Sequence, residues 1–203
     1  MHEEKHVPLL GPAVPRWGNK LTRAIGRLLL NAFRWHVEGQ LPNAAKFVIV
    51  VAPHTSSWDF LPTMGAMLAV GFQSYWLIAD TYDWWPLGIF LRWLGGIPVD
   101  RSMRRDLVVQ IVKRFIENDE FILAMSPEGT RKRARQWKTG FWHIAAGAGV
   151  PIQIVAVDYE KRATIFGPVI EPSGNIEADM EKIQMYYQGV RAKHPDQFDA
   201  EYL

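Results

Sequence analysis

The sequence predicts an α/β domain. Short Val- and Ile-rich segments alternate with longer stretches whose apolar residues recur at helical spacing, and Gly, Pro and Asn clusters separate them. No internal repeat interrupts this alternation. We expect a single layered domain with a mostly parallel or mixed central sheet flanked by helices and an N-terminal amphipathic helix. A chain of 203 residues builds one substantial core and is short for two. Residues 17–203 are therefore expected as one domain. Residues 1–16, with Pro8, Pro12 and Pro15, are expected as an extended, flexible arm.

From Lys20 to Phe33, Leu21, Ala24, Ile25, Leu28, Leu29 and Ala32 form one stripe, with Lys20, Arg23 and Arg27 elsewhere. Two readings are open: the stripe covers the sheet, or the basic margins with Trp17, Phe33 and Trp35 settle the helix at a lipid headgroup layer. A short strand near Trp35 to Glu38 precedes a buried strand at Phe47 to Ala52 and a helix over Asp59 to Val70. Ser74 to Ala79 reads as a strand. The aromatic-dense segment from Asp80 to Trp93 either packs on the sheet or forms a wall for an apolar substrate or a membrane-contact edge. Pro98 assigns the strand near Gly96 to the sheet edge. A helix over Met103 to Glu117, a strand over Phe121 to Met125, a helix over residues 137–147 and strands at Ile152 to Val157 and Ala163 to Phe166 follow. A terminal helix spans Ile176 to Arg191, and the tail beyond it carries no periodic signal.

Composition removes several chemistries. Without cysteine there is no disulfide, thiolate nucleophile or Cys-based zinc site. No apolar run is long enough to cross a bilayer and no signal-type segment follows the first residues, so a soluble or membrane-surface protein is expected. Charge is uneven: residues 1–50 carry seven Lys/Arg against three Asp/Glu, which favours anionic lipid or nucleic acid as a partner of this half.

The chemistry-bearing stretch is Pro53-His54-Thr55-Ser56-Ser57-Trp58-Asp59, at the end of the buried strand. A helix starting near Ser56 or Ser57 brings Asp59 back towards His54. A carboxylate then fixes one imidazole nitrogen and leaves the other as a base. The alternative is a plain capping turn. Ser126 to Arg131 leaves a second strand at its C-terminal end, the functional side of an α/β sheet, and the basic run Arg131 to Lys138 is either a solvated face or, joined directly to this turn, an anion site.

These residues resemble the glycerolipid acyltransferase family, typified by 1-acyl-sn-glycerol-3-phosphate acyltransferase. His54 to Asp59 matches its His-x4-Asp block, Gly95 to Arg101 its Gly-rich block ending in Asp-Arg, Pro127 to Arg131 its Pro-Glu-Gly-Thr-Arg block, and Val150-Pro151-Ile152 the start of its fourth. This chain has Pro53 where many members have Asn, Ser126 for a frequent Phe, and Ile154 where a second proline is common.

The resemblance implies transfer of a fatty acyl group from a thioester to the hydroxyl of a lysophospholipid, most simply lysophosphatidic acid, or another lyso-lipid such as a lyso-aminolipid. His54 is then the general base and Asp59 its orienting carboxylate. Arg101 and Arg131 bind an acceptor phosphate, Glu128 orients an Arg or binds an acceptor hydroxyl, Gly129 permits the turn and Thr130 donates a hydrogen bond. The donor is an acyl-CoA or acyl-carrier-protein thioester, used as cosubstrate with no bound cofactor and no metal. The implied place is the cytoplasmic face of a membrane, held peripherally or monotopically, with no nucleic acid as partner. The competing class is a non-catalytic lipid- or nucleic-acid-binding protein that uses the basic run.

Overall fold

In the computed structural model, residues 7–99, 104–129 and 136–198 are described. The run around Phe47 is apolar on both faces, and it lies at the middle of a seven-stranded sheet. The strands are β1 (His36–Gly39), β2 (Lys46–Ala52), β3 (Tyr75–Ala79), β4 (Gly96–Val99), β5 (Phe121–Met125), β6 (Ile152–Asp158) and β7 (Ala163–Ile170). Their order is β1-β7-β6-β2-β5-β3-β4. Strand β2 pairs in parallel with both neighbours, Val50 opposite Met125 of β5 and Ala52 opposite Ala156 of β6. The β6–β7 pair is antiparallel, so the sheet is mixed. Pro98 lies on β4, an edge strand, as its missing N–H requires.

Among the described residues the α-helices are α1 (Lys20–Ala32), α2 (Phe60–Val70), α3 (Leu87–Trp93), α4 (Arg104–Glu117), α5 (Gly140–Ala148) and α6 (Ile176–Tyr187). Alternate β2 side chains feed two cores. Val48, Val50 and Ala52 pack with Ile111 and Phe115 of α4, Phe141 and Ile144 of α5, and Met180 and Ile183 of α6. Phe47 and Ile49 pack with Leu30 of α1 and Met67 and Val70 of α2. The result is a three-layer arrangement of helices, sheet and helices.

The structure bears on three of the sequence readings. Residues 7–16 are not a detached arm: Val14 is buried in the second core, Trp17 N–H donates to the Gly71 carbonyl and Gln73 N–H to the Pro15 carbonyl. Helix α1 has the periodicity expected, but its stripe does not cover the sheet. It packs on α2 through Gly26 and Leu30, while Leu21, Ile25 and Leu28 face outward. Gly26 dictates this choice, since a Cβ there would fall on the Ala69 nitrogen and Leu68 Cβ, so only this face lets the two helices approach closely. The aromatic segment is likewise turned out: Trp84, Trp85, Ile89, Phe90 and Trp93 are exposed rather than packed on the sheet.

Besides the apolar packing of Met180 and Ile183, helix α6 is tied to the sheet by hydrogen bonds from Tyr187. Tyr187 is fully buried, and its hydroxyl lies 2.8 Å from the Val50 carbonyl and 3.1 Å from that of Val155, a link between β2 and β6. Its surroundings push the phenol well above its ordinary range through burial, so it remains protonated. Tyr187→Phe leaves these carbonyls without that donor and is expected to destabilise the fold by about 1–3 kcal/mol. Urea unfolding measures it as a lower midpoint at unchanged m-value.

Candidate functional site

Three parallel neighbours, β5, β2 and β6, end at one edge of the sheet, and each delivers a side chain there. From β2 the chain passes through Pro53 to Ser56 into a 3-10 turn at Ser57–Asp59, then directly into α2. Ser56 caps the turn: its hydroxyl accepts from Trp58 N–H at 3.2 Å, and its own N–H donates to Asp59 Oδ2 at 2.8 Å. That reciprocal cap fixes the carboxylate. His54 Nδ1 then lies 3.4 Å from the same Oδ2, with Asp59 almost wholly buried and the imidazole about one-third exposed at 35%. The cap and the His–Asp pair, alternatives on sequence grounds, coexist because Asp59 supplies both.

Glu128 arrives two residues after Ser126 on the loop that follows β5. Its Oε1 accepts the His54 backbone N–H at 2.7 Å, tying the two strand ends together. The side chain is buried, and among the described residues Oε2 has no hydrogen-bond partner. Burial above all pushes its carboxyl up from 4.5 to about 7; the His54 N–H and the His54 charge oppose this, and the nearby Asp59 charge adds to it. Gly129 follows at φ +60°, a left-handed turn in which a Cβ would collide with Lys138. The Lys138 ammonium lies 3.5 Å from the Gly129 carbonyl. Arg101, Thr130 and Arg131, and the greater part of the basic run, lie outside the described residues.

Sequence reasoning missed Tyr159, which follows β6 directly. Its hydroxyl donates to Asp59 Oδ1 at 2.7 Å, so the carboxylate is held at both oxygens. Lys193 was missed as well: its ammonium lies 4.7 Å from the Trp58 ring centre and 5.9 Å from that of Tyr159. The tail that carried no periodic signal is thus part of the site. The His194 N–H donates to Thr55 Oγ1 at 3.3 Å and the Tyr159 N–H to the Arg191 carbonyl at 2.9 Å. A signal for Tyr159 existed, namely a polar-tipped aromatic at the C-terminal end of a third buried strand.

The assembly is a partly exposed imidazole with one nitrogen facing a fixed, buried carboxylate. Among the described residues nothing bonds His54 Nε2, so that atom is able to take a proton from a hydroxyl placed beside it. Among the described residues no group of three or more His, Asp or Glu converges as a metal site.

Comparison with known proteins covers the same stretch. A family model described as Acyltransferase matches residues 34–158. The 1-acyl-sn-glycerol-3-phosphate acyltransferase of Haemophilus influenzae is 34% identical over 147 residues, covering 65% of this chain and 57% of that protein. The enzyme of that name from Escherichia coli is 30% identical over 163 residues, covering 73% of this chain and 63% of the relative. The chain thus spans about three-fifths of the length of these curated relatives. The crystal structure of the 1-acyl-sn-glycerophosphate (LPA) acyltransferase, PlsC, from Thermotoga maritima superposes with a TM-score of 0.54 at 16% identity, covering 85% of this chain and 82% of that one, and so shares its fold. With the family match running from the strand before β2 to the end of β6, this chain belongs to the Acyltransferase family.

Proposed function

We propose that this protein transfers a fatty acyl group from an acyl-CoA or acyl-carrier-protein thioester to the hydroxyl of a lysophospholipid, most simply lysophosphatidic acid. The observation that carries the reading is His54 Nδ1 facing the buried, doubly anchored Asp59. In this mechanism His54 Nε2 takes the proton of the acceptor hydroxyl as its oxygen attacks the thioester carbonyl. The new C–O bond forms, the C–S bond breaks, and the imidazolium returns the proton to the departing thiolate. Asp59 steadies the imidazolium, whose 3.4 Å separation shortens as charge develops.

Acceptor binding is assigned to the turn after β5 and the segment after β4. Arg101 and Arg131 take the phosphate through their planar guanidinium groups, and Thr130 donates a hydrogen bond to it. Glu128 serves twice: Oε1 holds the His54 backbone, and Oε2 is available to an Arg guanidinium or an acceptor hydroxyl. Gly129 shapes the turn.

A lipid surface supplies the acceptor in this reading. The outward Leu21, Ile25 and Leu28 of α1 lie beside Lys20 and Arg27, an arrangement suited to anionic headgroups. Aromatic contacts extend the surface at both ends: Trp17 meets Trp93 at 5.1 Å, and Phe33 meets Trp58, next to Asp59, at 6.4 Å. The attachment proposed is peripheral or monotopic, on the cytoplasmic face; among the described residues no helix is long and apolar enough to cross a membrane.

Three outcomes test the reading. His54→Ala is expected to lower kcat by about 10²–10⁴, and Asp59→Asn to lower it as well, with lysophosphatidic acid and acyl-CoA as substrates; undiminished turnover in His54→Ala removes the base. Leu21→Glu/Leu28→Glu is expected to weaken partitioning onto anionic vesicles by about tenfold or more, read by flotation. For Glu128 the folded protein holds a proton that the unfolded chain releases as pH rises from 4.5 to about 7, so wild-type stability falls through that window. Glu128→Gln cannot ionise, and is expected to gain roughly 3 kcal/mol relative to wild type between those limits, measured by urea unfolding at a series of pH values.

A further inference from the structure

We propose that Tyr159 is a positioning residue for acyl transfer, acting through Asp59 to hold the His54 imidazole in its reactive tautomer. This rests on the assignment of His54 as the base. Tyr159 lies one position beyond the family match at residues 34–158.

Asp59 has two carboxylate oxygens and only one of them faces His54. Without a partner on Oδ1 the carboxylate is held at Oδ2 alone, and its terminal torsion, a broad two-fold well for Asp, is less tightly set. The Tyr159 hydroxyl occupies Oδ1 at 2.7 Å while Ser56 N–H occupies Oδ2 at 2.8 Å, so the plane of the carboxylate is set by two donors from different parts of the chain. The lone pair of Oδ2 that remains then meets His54 Nδ1, and a proton on Nδ1 leaves Nε2 bare.

The phenol is itself locked. Its ring meets Trp35 edge-on at 5.0 Å and 76°, and the Trp35 indole N–H is held at 3.0 Å by the buried Thr164 hydroxyl, which bonds the Pro62 carbonyl of α2. The Lys193 ammonium lies 5.9 Å from the ring centre, and the backbone is fastened to Arg191. Burial first, and then the bond to Asp59 and the Asp59 charge, push the phenol far above its ordinary range, so it donates and never competes as an anion. These contacts hold the ring whose hydroxyl bonds Asp59 Oδ1.

Tyr159→Phe retains the ring and removes only the donor. With lysophosphatidic acid and acyl-CoA, we expect kcat to fall about tenfold, within the range of a lost hydrogen bond to a charged group, while both KM values stay within about twofold of wild type. The side-chain nitrogen NMR spectrum of His54 is expected to change from a single Nδ1-protonated form to a mixture of tautomers, at a pH where the ring is neutral. A kcat within twofold of wild type, or an unaltered His54 spectrum, overturns the proposal. His54→Ala assayed alongside separates two failures: full activity there removes the base and Tyr159's role with it, whereas an inactive His54→Ala beside an unaffected Tyr159→Phe removes Tyr159 alone.

Discussion

Parallel pairing of β2 with both β5 and β6 is the constraint on which the site depends. Parallel neighbours send their C-terminal ends to the same edge, so residues remote in sequence meet without any loop having to travel. Glu128 is 74 positions from His54 and Tyr159 is 100 from Asp59, yet each bond is 2.7 Å long. Hydrophobic burial of β2 on both faces supplies the driving force, and register supplies the accuracy.

Two buried carboxylates at this edge illustrate how environment divides similar groups. Asp59 is surrounded by donors, the Ser56 N–H and the Tyr159 hydroxyl, with the imidazole facing it. Glu128 has one donor for two oxygens, and burial raises its proton affinity. One site therefore holds a carboxyl group fixed at both oxygens beside an acid that changes state near neutrality.

Much of this was legible in the sequence. Short apolar runs gave the strands to within a residue or two except β7, which continues four residues past Phe166 to Ile170, and Pro98 marked an edge. His54 and Asp59 were found because five positions across a strand-to-helix turn bring side chains together, a local matter. What was not legible depends on contact between distant segments. Periodicity found α1, but a hydrophobic stripe does not say whether its partner is protein or lipid; Gly26, a residue with no side chain to score, decides that in favour of the opposite face. Similarly, aromatic density between Tyr82 and Trp93 fits a core or a surface equally well, and only the fold turns it outward. Tyr159 and Lys193 gain their meaning solely from which strand lies beside which.

The segment at Arg191 to His194 has a consequence in time. It braces the backbone of Tyr159 and reaches Thr55, 139 positions earlier. On a polypeptide emerging from the ribosome His54 and Asp59 are made first, whereas β6, Tyr159 and finally this brace follow only later. The imidazole and its carboxylate thus exist on the nascent chain long before the scaffold that sets their geometry. A ribosome stalled before Arg191 would carry the motif without its completed surroundings.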